Sequence, residues 1–364
     1  MRLVFVTQLV DADHAALAQT VDAVRALAAR CERVDVICDR VGRHDLPANV
    51  AFRTFRARTR LGRGARFEAG LARSLRLRPD AIFVHMVPTF VALAAPLAKP
   101  ARVPLLLWYT HWHASRALRL ATRLADRVLS VDRRSFPLES GKARGIGHAI
   151  DVERFAPRPR KNGPGPLRLL ALGRFARWKG HGTLLEGFRL AVADGLDATL
   201  EIRGPELTED ERHHRAELES FVTGTPMLAE RVTLAPPVAR DEVPALLASV
   251  DALVSANEPR GSETLDKVVY EAAACALPVV ASTTALAEFL DGLPLELRFR
   301  ARDPDDLARA LAGLAAAGPE VRAQVGAALR LRVEKGHSVE SWAEAVLATA
   351  RELRPTAAVH SRAP

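Results

Sequence analysis

Two glutamates, Glu263 and Glu271, stand eight positions apart where the sequence runs from polar residues into a helical pattern. The apolar residues 277–281 follow at once and are typical of a buried parallel strand. A carboxylate so near a core needs a partner, and sugar or ribose hydroxyls donate readily to an ionised carboxylate. The pattern therefore indicates a loop and helix start that bind sugar or ribose hydroxyls, although two glutamates on a helix surface would show the same spacing.

A second group of functional residue types follows the apolar residues 169–172. Gly173 comes directly after this predicted strand, Arg174 and Lys179 lie in the next turn, and a helix is predicted to begin near His181. A glycine lets the backbone turn closely, and two cations beside a helix N-terminus favour a diphosphate. Charge-assisted hydrogen bonds of this kind contribute about 1.5–3 kcal/mol each. The alternative is a basic loop between a strand and a helix.

Together these two patterns resemble the retaining nucleotide-sugar glycosyltransferases of family 4, which are group 1 enzymes with the GT-B fold. The resemblance rests on Gly-Arg, a spacer and Lys-Gly in one pattern. In the other it rests on two glutamates with seven residues between them, followed by Pro-Val-Val. It implies that Arg174 and Lys179 bind the donor pyrophosphate and stabilise the leaving nucleoside diphosphate. It also implies that Glu263 lies near the donor sugar and Glu271 near the donor ribose.

The sequence departs from this family at two turns. Relatives usually show Glu-Gly-Phe-Gly at the first glutamate, whereas Asp266 and Lys267 follow here and the glycines are absent. Without glycine the backbone approaches a donor less freely, so we expect Lys267 to supply charge instead. The chain holds six lysines against 46 arginines, which makes a lysine in a motif conspicuous. The first strand also lacks the usual Gly-Gly turn, so acceptor contacts from that loop do not follow from the resemblance.

Histidines mark the predicted acceptor side. His111 follows the apolar residues 105–109, and the end of a strand is where a doubly wound domain presents chemistry. The resemblance implies that His111 approaches the transferred sugar and hydrogen-bonds one of its hydroxyls. His85 follows a neighbouring predicted strand and is a weaker candidate for the same side. The alternative for His111 is packing in a polar pocket.

The order of predicted elements indicates an α/β protein with two facing, doubly wound Rossmann-like domains and a cleft between them. We predict an N-terminal acceptor domain over residues 1–155, a Pro- and Gly-rich linker over 156–166 and a donor domain over 167–337. Residues 338–364 are predicted to form a C-terminal helix and a disordered tail. The predicted strands are residues 3–7, 34–37, 50–55, 81–84, 105–109, 127–130, 168–172, 198–203, 231–234, 251–255 and 278–282.

Almost all of the net charge of +9 comes from one segment, residues 53–78, which holds nine arginines and one glutamate. Phe67, Leu71 and Leu75 recur every four residues there, which predicts a basic amphipathic helix after an Arg- and Gly-rich loop. We predict that this helix meets anionic lipid or a phosphate-bearing acceptor, the alternative being a solvated face. Nucleic acid is not expected, since no aromatics are interleaved with the arginines. The predicted contact residues are Arg63, Arg66 and Arg73.

No cofactor and no metal site are expected. The three cysteines lack metal-binding spacing and are predicted to be buried thiols in a reducing cytosol. Asp303 and Asp305 have the sequence pattern of a metal-binding pair of aspartates. They stand at a predicted helix start, however, where Asp is a capping residue.

The apolar N-terminal segment and the apolar residues 81–98 are both predicted to be soluble elements. Asp11 and Asp13 cut the first run short, which indicates a strand and not a signal peptide. Pro88 and Pro96 interrupt the second run, which favours a strand followed by a helix over a membrane span. The expected location is the cytoplasm, including the inner face of the membrane if the basic segment binds lipid.

The predicted function is that of a retaining glycosyltransferase. It would move a sugar from a nucleotide-diphosphate donor to a hydroxyl acceptor, of which a lipid-linked or cell-envelope glycan precursor is one class. Two alternatives stay open: a synthase that accepts a sugar phosphate, and a non-catalytic membrane- or polyanion-binding protein with a decayed site. A dinucleotide oxidoreductase is disfavoured, because no Gly-x-Gly-x-x-Gly follows either first strand.

Overall fold

The chain folds into two units, each built on a parallel sheet. One unit comprises Met1–Ala149 together with the chain from Val339 onward, and the other comprises Ile150–Ser338. The computed structural model describes residues 1–14, 17–159, 165–259 and 266–354.

The described residues of the first unit include nine strands, of which seven form one parallel sheet in the order β5-β3-β1-β6-β7-β8-β9. The two shortest, β2 and β4, pair separately. The strands are β1 (Arg2–Val6), β2 (Leu9–Val10), β3 (Arg33–Cys38), β4 (Arg40–Val41), β5 (Val50–Thr54), β6 (Ala81–His85), β7 (Leu105–Trp108), β8 (Arg127–Ser130) and β9 (Ala143–Gly145). The helices between them are α1 (Gln19–Ala28), α2 (Arg60–Leu75), α3 (Pro88–Ala98) and α4 (Arg116–Leu124).

The second unit has a five-stranded parallel sheet in the order β12-β11-β10-β13-β14. Its strands are β10 (Leu167–Leu172), β11 (Ala198–Arg203), β12 (Val232–Ala235), β13 (Ala252–Ser255) and β14 (Val279–Ala281). Its helices are α5 (His181–Ala193), α6 (Glu209–Gly224), α7 (Pro226–Ala229), α8 (Val243–Ala248), α9 (Lys267–Ala274), α10 (Ala287–Leu290), α11 (Pro304–Ala316) and α12 (Gly318–Gly336). One further helix, α13 (Val339–Glu352), belongs to the first unit.

All eleven predicted strands are present, and each end lies within one residue of its predicted position. The agreement follows from burial, because the central strands of both sheets are covered on both faces and consist almost wholly of apolar residues. The segment 81–98 is a strand and a helix, as predicted. Within the described part of the chain no helix is both long and apolar enough to cross a bilayer.

Helix caps fix the start of two exposed helices in the first unit. The Thr59 hydroxyl accepts a hydrogen bond from the amide of Gly62 at 3.1 Å, and the Ser115 hydroxyl accepts one from Leu118 at 3.1 Å. Gly62 therefore lies in the first turn of α2. The sequence analysis had instead predicted an Arg- and Gly-rich loop before the helix. The capping energy of Thr59 outweighs the low helix propensity of one glycine.

The junctions between the units differ from the predicted boundaries. Residues 150–155 belong to the second unit, because the amide of Ile150 donates to His337 at 2.7 Å and Arg330 donates to the carbonyl of Phe155 at 3.2 Å. Helix α13 belongs to the first unit, where the buried Trp342 ring meets Phe83 and other aromatics. Part of the predicted linker, residues 160–164, and the predicted tail lie outside the described residues.

Candidate active site

The second sheet has a switch point between β10 and β13. These strands are neighbours, with Leu169 opposite Ala252, and the chain continues from them toward opposite edges of the sheet. Loops that leave such a pair diverge, so a crevice forms at the carboxyl ends of the strands, where open α/β sheets bind ligands. Gly173 follows β10 and Asn257 follows β13, which places both at this crevice.

The turn after β10 is closely packed against the neighbouring backbone. A Cβ on Gly204 would stand 1.8 Å from the carbonyl oxygen of Gly173, so the two loops meet with no room for a side chain. A Cβ on Gly173 would lie 3.1 Å from Cε and Nζ of Lys179. The lysine side chain therefore runs directly beside Gly173, and the absence of a side chain at that position makes this path possible.

The backbone conformation at position 180 explains why a glycine follows Lys179. Residues Arg177–Lys179 form one 3₁₀ turn, and Gly180 then adopts a left-handed conformation with φ of 67°. A Cβ at Gly180 would stand 2.0 Å from the carbonyl oxygen of Ala256, just beyond β13. Only glycine fits this approach, and it lets α5 begin at His181 with its N-terminus at the switch point, a favourable place for an anion.

Lys179 is held inside this crevice by an ion pair. The residue is 8% exposed, and its ammonium group bonds the carboxylate of Asp266, the residue before α9. The amide of Asn257 donates to the same carboxylate oxygen at 3.1 Å. About 10 Å³ of free space remains among these side chains, roughly enough for one water molecule. An anion that binds Lys179 must therefore compete with Asp266.

Arg174 is also paired with a carboxylate. Its guanidinium bonds Glu211 of α6, which is buried and accepts a second hydrogen bond from the amide of Leu207 at 2.6 Å. The side chain of Arg174 remains 43% exposed, so it lies at the surface of the turn, whereas Lys179 lies inside it. The structure thus places both predicted cations in one turn and shows that each has an internal counter-ion.

Two histidines line the interior of the same turn. His181 is 3% exposed, its ring lies 5.4 Å from that of Phe175, and it stacks at 6.3 Å on His214 of α6. Burial, followed by the charges of Lys179 and His214, lowers the pKa of His181 to about 3. His181 is therefore neutral at physiological pH and adds no positive charge to the crevice.

Comparison with known protein families decides the affiliation of this region. Residues 166–317 match the family model described as glycosyl transferases group 1. A search of curated proteins finds no match to the chain.

Solved structures extend the likeness to both units. The chain resembles HepE of Anabaena in complex with UDP, at 18% identity over 97% of this chain and 100% of that one, with a TM-score of 0.74. It resembles sucrose-phosphate synthase of Thermosynechococcus elongatus, at 18% identity over 97% and 98%, with a TM-score of 0.71. It also resembles the lipopolysaccharide outer core galactosyltransferase WaaB, at 16% identity over 97% and 100%, with a TM-score of 0.69.

These likenesses confirm the predicted fold, the GT-B fold of glycosyltransferases with Rossmann-like domains. They also confirm the resemblance to group 1 glycosyltransferases. Assignment to family 4 in particular stays a prediction.

The structure describes only part of the second predicted motif, the one with the two glutamates. Lys267 is the first residue of α9, and Glu271 lies half-buried one turn later on the same helix. Glu263 lies outside the described residues. Sequence reasoning missed Asp266 and Asn257 as members of the site; the signal was an Asp in the place of a family glycine, directly before a helix start.

In the first unit the predicted histidines follow two neighbouring strands. The first sheet has its switch point between the parallel neighbours β1 and β6, from which the chain continues toward opposite edges of the sheet. His85 is the last residue of β6, is buried, and has its Nδ1 3.4 Å from the hydroxyl of Thr7. The next residue, Met86, has a φ of 67°, an uncommon backbone conformation that concentrates at functional sites. His111 follows β7, one strand further along, is exposed, and accepts a hydrogen bond from the amide of His113 at 3.1 Å.

The predicted basic contact residues lie along α2. Arg63 pairs with Asp39 at 3.2 Å, Arg66 donates to the backbone carbonyl of Arg56, and Arg73 is exposed. Two grooves, each of about 500 Å³, run beside Arg66. Both lie within the first unit, and three arginines line each of them: Arg53, Arg66 and Arg73 in one, and Arg56, Arg58 and Arg66 in the other.

The acidic pair at Asp303 and Asp305 behaves as a helix start. The Asp303 carboxylate accepts a hydrogen bond from the amide of Asp306 at 2.9 Å and caps α11, as predicted. The described residues contain no group of three or more His, Cys, Asp or Glu side chains that could hold a metal ion.

Proposed function

We propose that the protein transfers a sugar from a nucleotide-diphosphate donor to a hydroxyl acceptor, with retention of the anomeric configuration. The observation that carries this proposal is the position of Lys179. Lys179 is buried at the switch point of the second sheet, beside the N-terminus of α5. The turn that places it there requires a glycine at position 180. A buried ammonium group at such a point is suited to a compact, doubly charged ligand such as a diphosphate.

In this mechanism the chain stabilises charge on the leaving group. The glycosidic bond to the diphosphate breaks, negative charge grows on the departing phosphate, and Lys179 with Arg174 neutralises it from a preorganised position. Glu263 and Glu271 contact the donor sugar and ribose, and Lys267 adds charge at the start of α9. His111 hydrogen-bonds the transferred sugar from the acceptor side, with His85 as the second candidate there. No metal or other cofactor takes part.

The proposal also covers the acceptor and the location of the protein. We infer a lipid-linked or cell-envelope hydroxyl as acceptor, with the enzyme in the cytoplasm at the inner face of the membrane. The basic surface of α2 supports this inference. WaaB, a fold relative, is a lipopolysaccharide galactosyltransferase by its description.

A sugar-phosphate acceptor is the second candidate. The arginine-lined grooves beside Arg66 would suit a phosphate, and one fold relative is a sucrose-phosphate synthase. The product separates the two candidates. A glycolipid partitions into an organic phase, whereas a disaccharide phosphate stays in water.

The donor site is tested by calorimetric titration of nucleoside diphosphates into metal-free protein. We expect one base to bind, and Lys179→Ala to weaken its binding by about 10–100-fold, the equivalent of one charge-assisted hydrogen bond. Lys335→Ala is the matched control, because Lys335 is an exposed lysine of the same unit. If no nucleoside diphosphate binds the wild-type protein, the donor assignment fails and the binding-protein alternative takes its place.

A further inference from the structure

One face of the first sheet is covered by a continuous layer of three helices. Helix α3 packs against α2 on one side and against α4 on the other. Their inner residues, such as Phe67, Val91 and Leu118, share a core with Val4 and Ile82 of the central strands. We call α2, α3 and α4, with the loop residues 53–59, the basic layer.

The charge of this layer was only partly visible in the sequence, because α4 joins it through the fold. Residues 53–124 contain fourteen arginines and lysines against two acidic residues. The net charge of the whole chain is +9, so the remainder of the chain is net negative. The arginines of this layer that are exposed and have no ion-pair partner among the described residues include Arg56, Arg58, Arg60, Arg73, Arg116, Arg119 and Arg123.

The opposite face of the same sheet has a different character. Helices α1 and α13 pack together there, and Trp342 of α13 contacts Phe83, whose side chain points away from the basic layer. Helix α13 carries three glutamates and one arginine. Two of these glutamates pair with arginines of the same unit, Glu352 with Arg144 at 3.1 Å and Glu344 with Arg30 at 3.6 Å. An arginine-rich composition alone would not put the excess charge on one face.

The centre of the basic layer is apolar. Helix α3 contains no charged residue; its Pro96 is exposed, while Leu93 and Leu97 are half-buried and pack against the core. On the flanking helices, Leu61 is 89% exposed between arginines of α2, and Leu120 is 47% exposed between arginines of α4. Exposed leucines framed by arginines are typical of a surface that lies in a membrane interface.

We propose that the basic layer docks on an anionic lipid bilayer, with Leu61 and Leu120 inserted among the acyl chains. The arginines around them meet the headgroups, whose negative potential attracts basic segments. A soluble polyanion would find its contacts interrupted at the uncharged α3, whereas a bilayer accommodates apolar and basic surface together. This deepens the proposed function by assigning the surface through which the protein would reach a lipid-anchored acceptor, and it rests on that function for the acceptor alone.

Vesicle co-sedimentation tests the charge of the layer. The vesicles are phosphatidylcholine alone, or with about one-third phosphatidylglycerol, in about 0.15 M salt. We expect the wild-type protein to bind only the anionic vesicles, and Arg116→Gln/Arg119→Gln/Arg123→Gln to weaken binding about a hundredfold. The matched control is Arg40→Gln/Arg158→Gln/Arg351→Gln, which removes the same charge from exposed positions outside the layer. Equal losses in both triple variants, or no binding by the wild type, would overturn the proposal.

Leu61→Ser/Leu120→Ser distinguishes a bilayer from a soluble polyanion. We expect this variant to lose at least about tenfold in vesicle affinity while its retention on a heparin column stays unchanged. Unchanged vesicle binding would mean that the layer is a polyanion site without insertion. Nucleoside diphosphate binding, measured without vesicles, keeps the two proposals separable: if it persists while vesicle binding is absent, only the docking proposal fails.

Discussion

Cations are treated in opposite ways in the two units. In the turn after β10, Lys179 pairs with Asp266, Arg174 with Glu211, and Arg177 with Glu217. In the basic layer of the first unit most arginines are exposed and have no such partner among the described residues. The first arrangement fixes each cation in one geometry, and the second leaves a diffuse positive field.

This difference separates two uses of positive charge. A cation held by an internal carboxylate is preorganised, so a guest anion replaces a known partner and its geometry is selected. Unpaired surface arginines attract any anionic surface over about one Debye length, roughly 8 Å at physiological salt. We therefore expect selectivity for the donor to reside in the turn, and attachment to a surface to reside in the layer.

The largest expected effect comes from breaking the geometry that holds Lys179. Gly180→Ala places a Cβ 2.0 Å from the carbonyl oxygen of Ala256 at a φ of 67°. Strain and overpacking together should cost about 3 kcal/mol of unfolding free energy. Thermal unfolding of the full chain, with hydrogen exchange in α5 as the local readout, measures the loss.

Gly182→Ala is the control for this substitution. Gly182 lies two residues further along, in the first turn of α5, and a Cβ there meets nothing within 4 Å. Alanine is the better helix former, so this variant should gain up to about 1 kcal/mol. Equal stability of the two variants would show that the turn is not held by the contact with β13.

The regularity of the fold explains how much of it could be predicted. Strands such as β10 and β13 are short apolar runs because both faces of a parallel sheet are buried, so their sequences reveal them. The start of α5 was predictable from Gly180 and the cations before it. In the same way, the spacing of Phe67, Leu71 and Leu75 predicted α2.

The partners of the site residues were not predictable in the same way. Lys179 meets Asp266 across 87 positions of sequence, and Arg174 meets Glu211 across 37. These pairs depend on which strands are neighbours, and a local pattern does not encode that order. The joining of α4 to α2 in one basic layer depends on strand order in the same sense.

Acidification sharpens the contrast between the two regions. The pKa of His181 is lowered from 6.5 to about 3, so the folded protein keeps this ring neutral while the unfolded chain protonates it below pH 6.5. The unfolded state then binds more protons, and stability falls as pH drops from about 6.5 toward 3. The slope attributable to His181 is about 1.4 kcal/mol per pH unit.

His181→Gln should flatten this pH dependence, as measured by denaturant unfolding at a series of pH values between about 4.5 and 7. His44→Gln is the control, because His44 is exposed in the first unit and should leave the slope unchanged. An unaltered slope in His181→Gln would mean that the buried ring is protonated in the folded state as well.

The smallest effect, and the most direct test of the pairing, concerns Asp266. This carboxylate forms an ion pair with the ammonium group of Lys179 and accepts a hydrogen bond from the side-chain amide of Asn257. Asp266→Asn removes the competing charge while keeping the size of the side chain. A nucleoside diphosphate should then bind about tenfold more tightly, a gain of roughly 1.4 kcal/mol in calorimetric titration.

Asp305→Asn serves as the control, since Asp305 is an exposed carboxylate on α11 of the same unit. It removes the same charge without touching Lys179, so any gain shared by both variants would be a general effect of net charge. A weaker affinity in Asp266→Asn would reverse the interpretation. In that case Asp266 would act by positioning Lys179, and the internal ion pair would serve the donor by orientation alone, with competition playing no part.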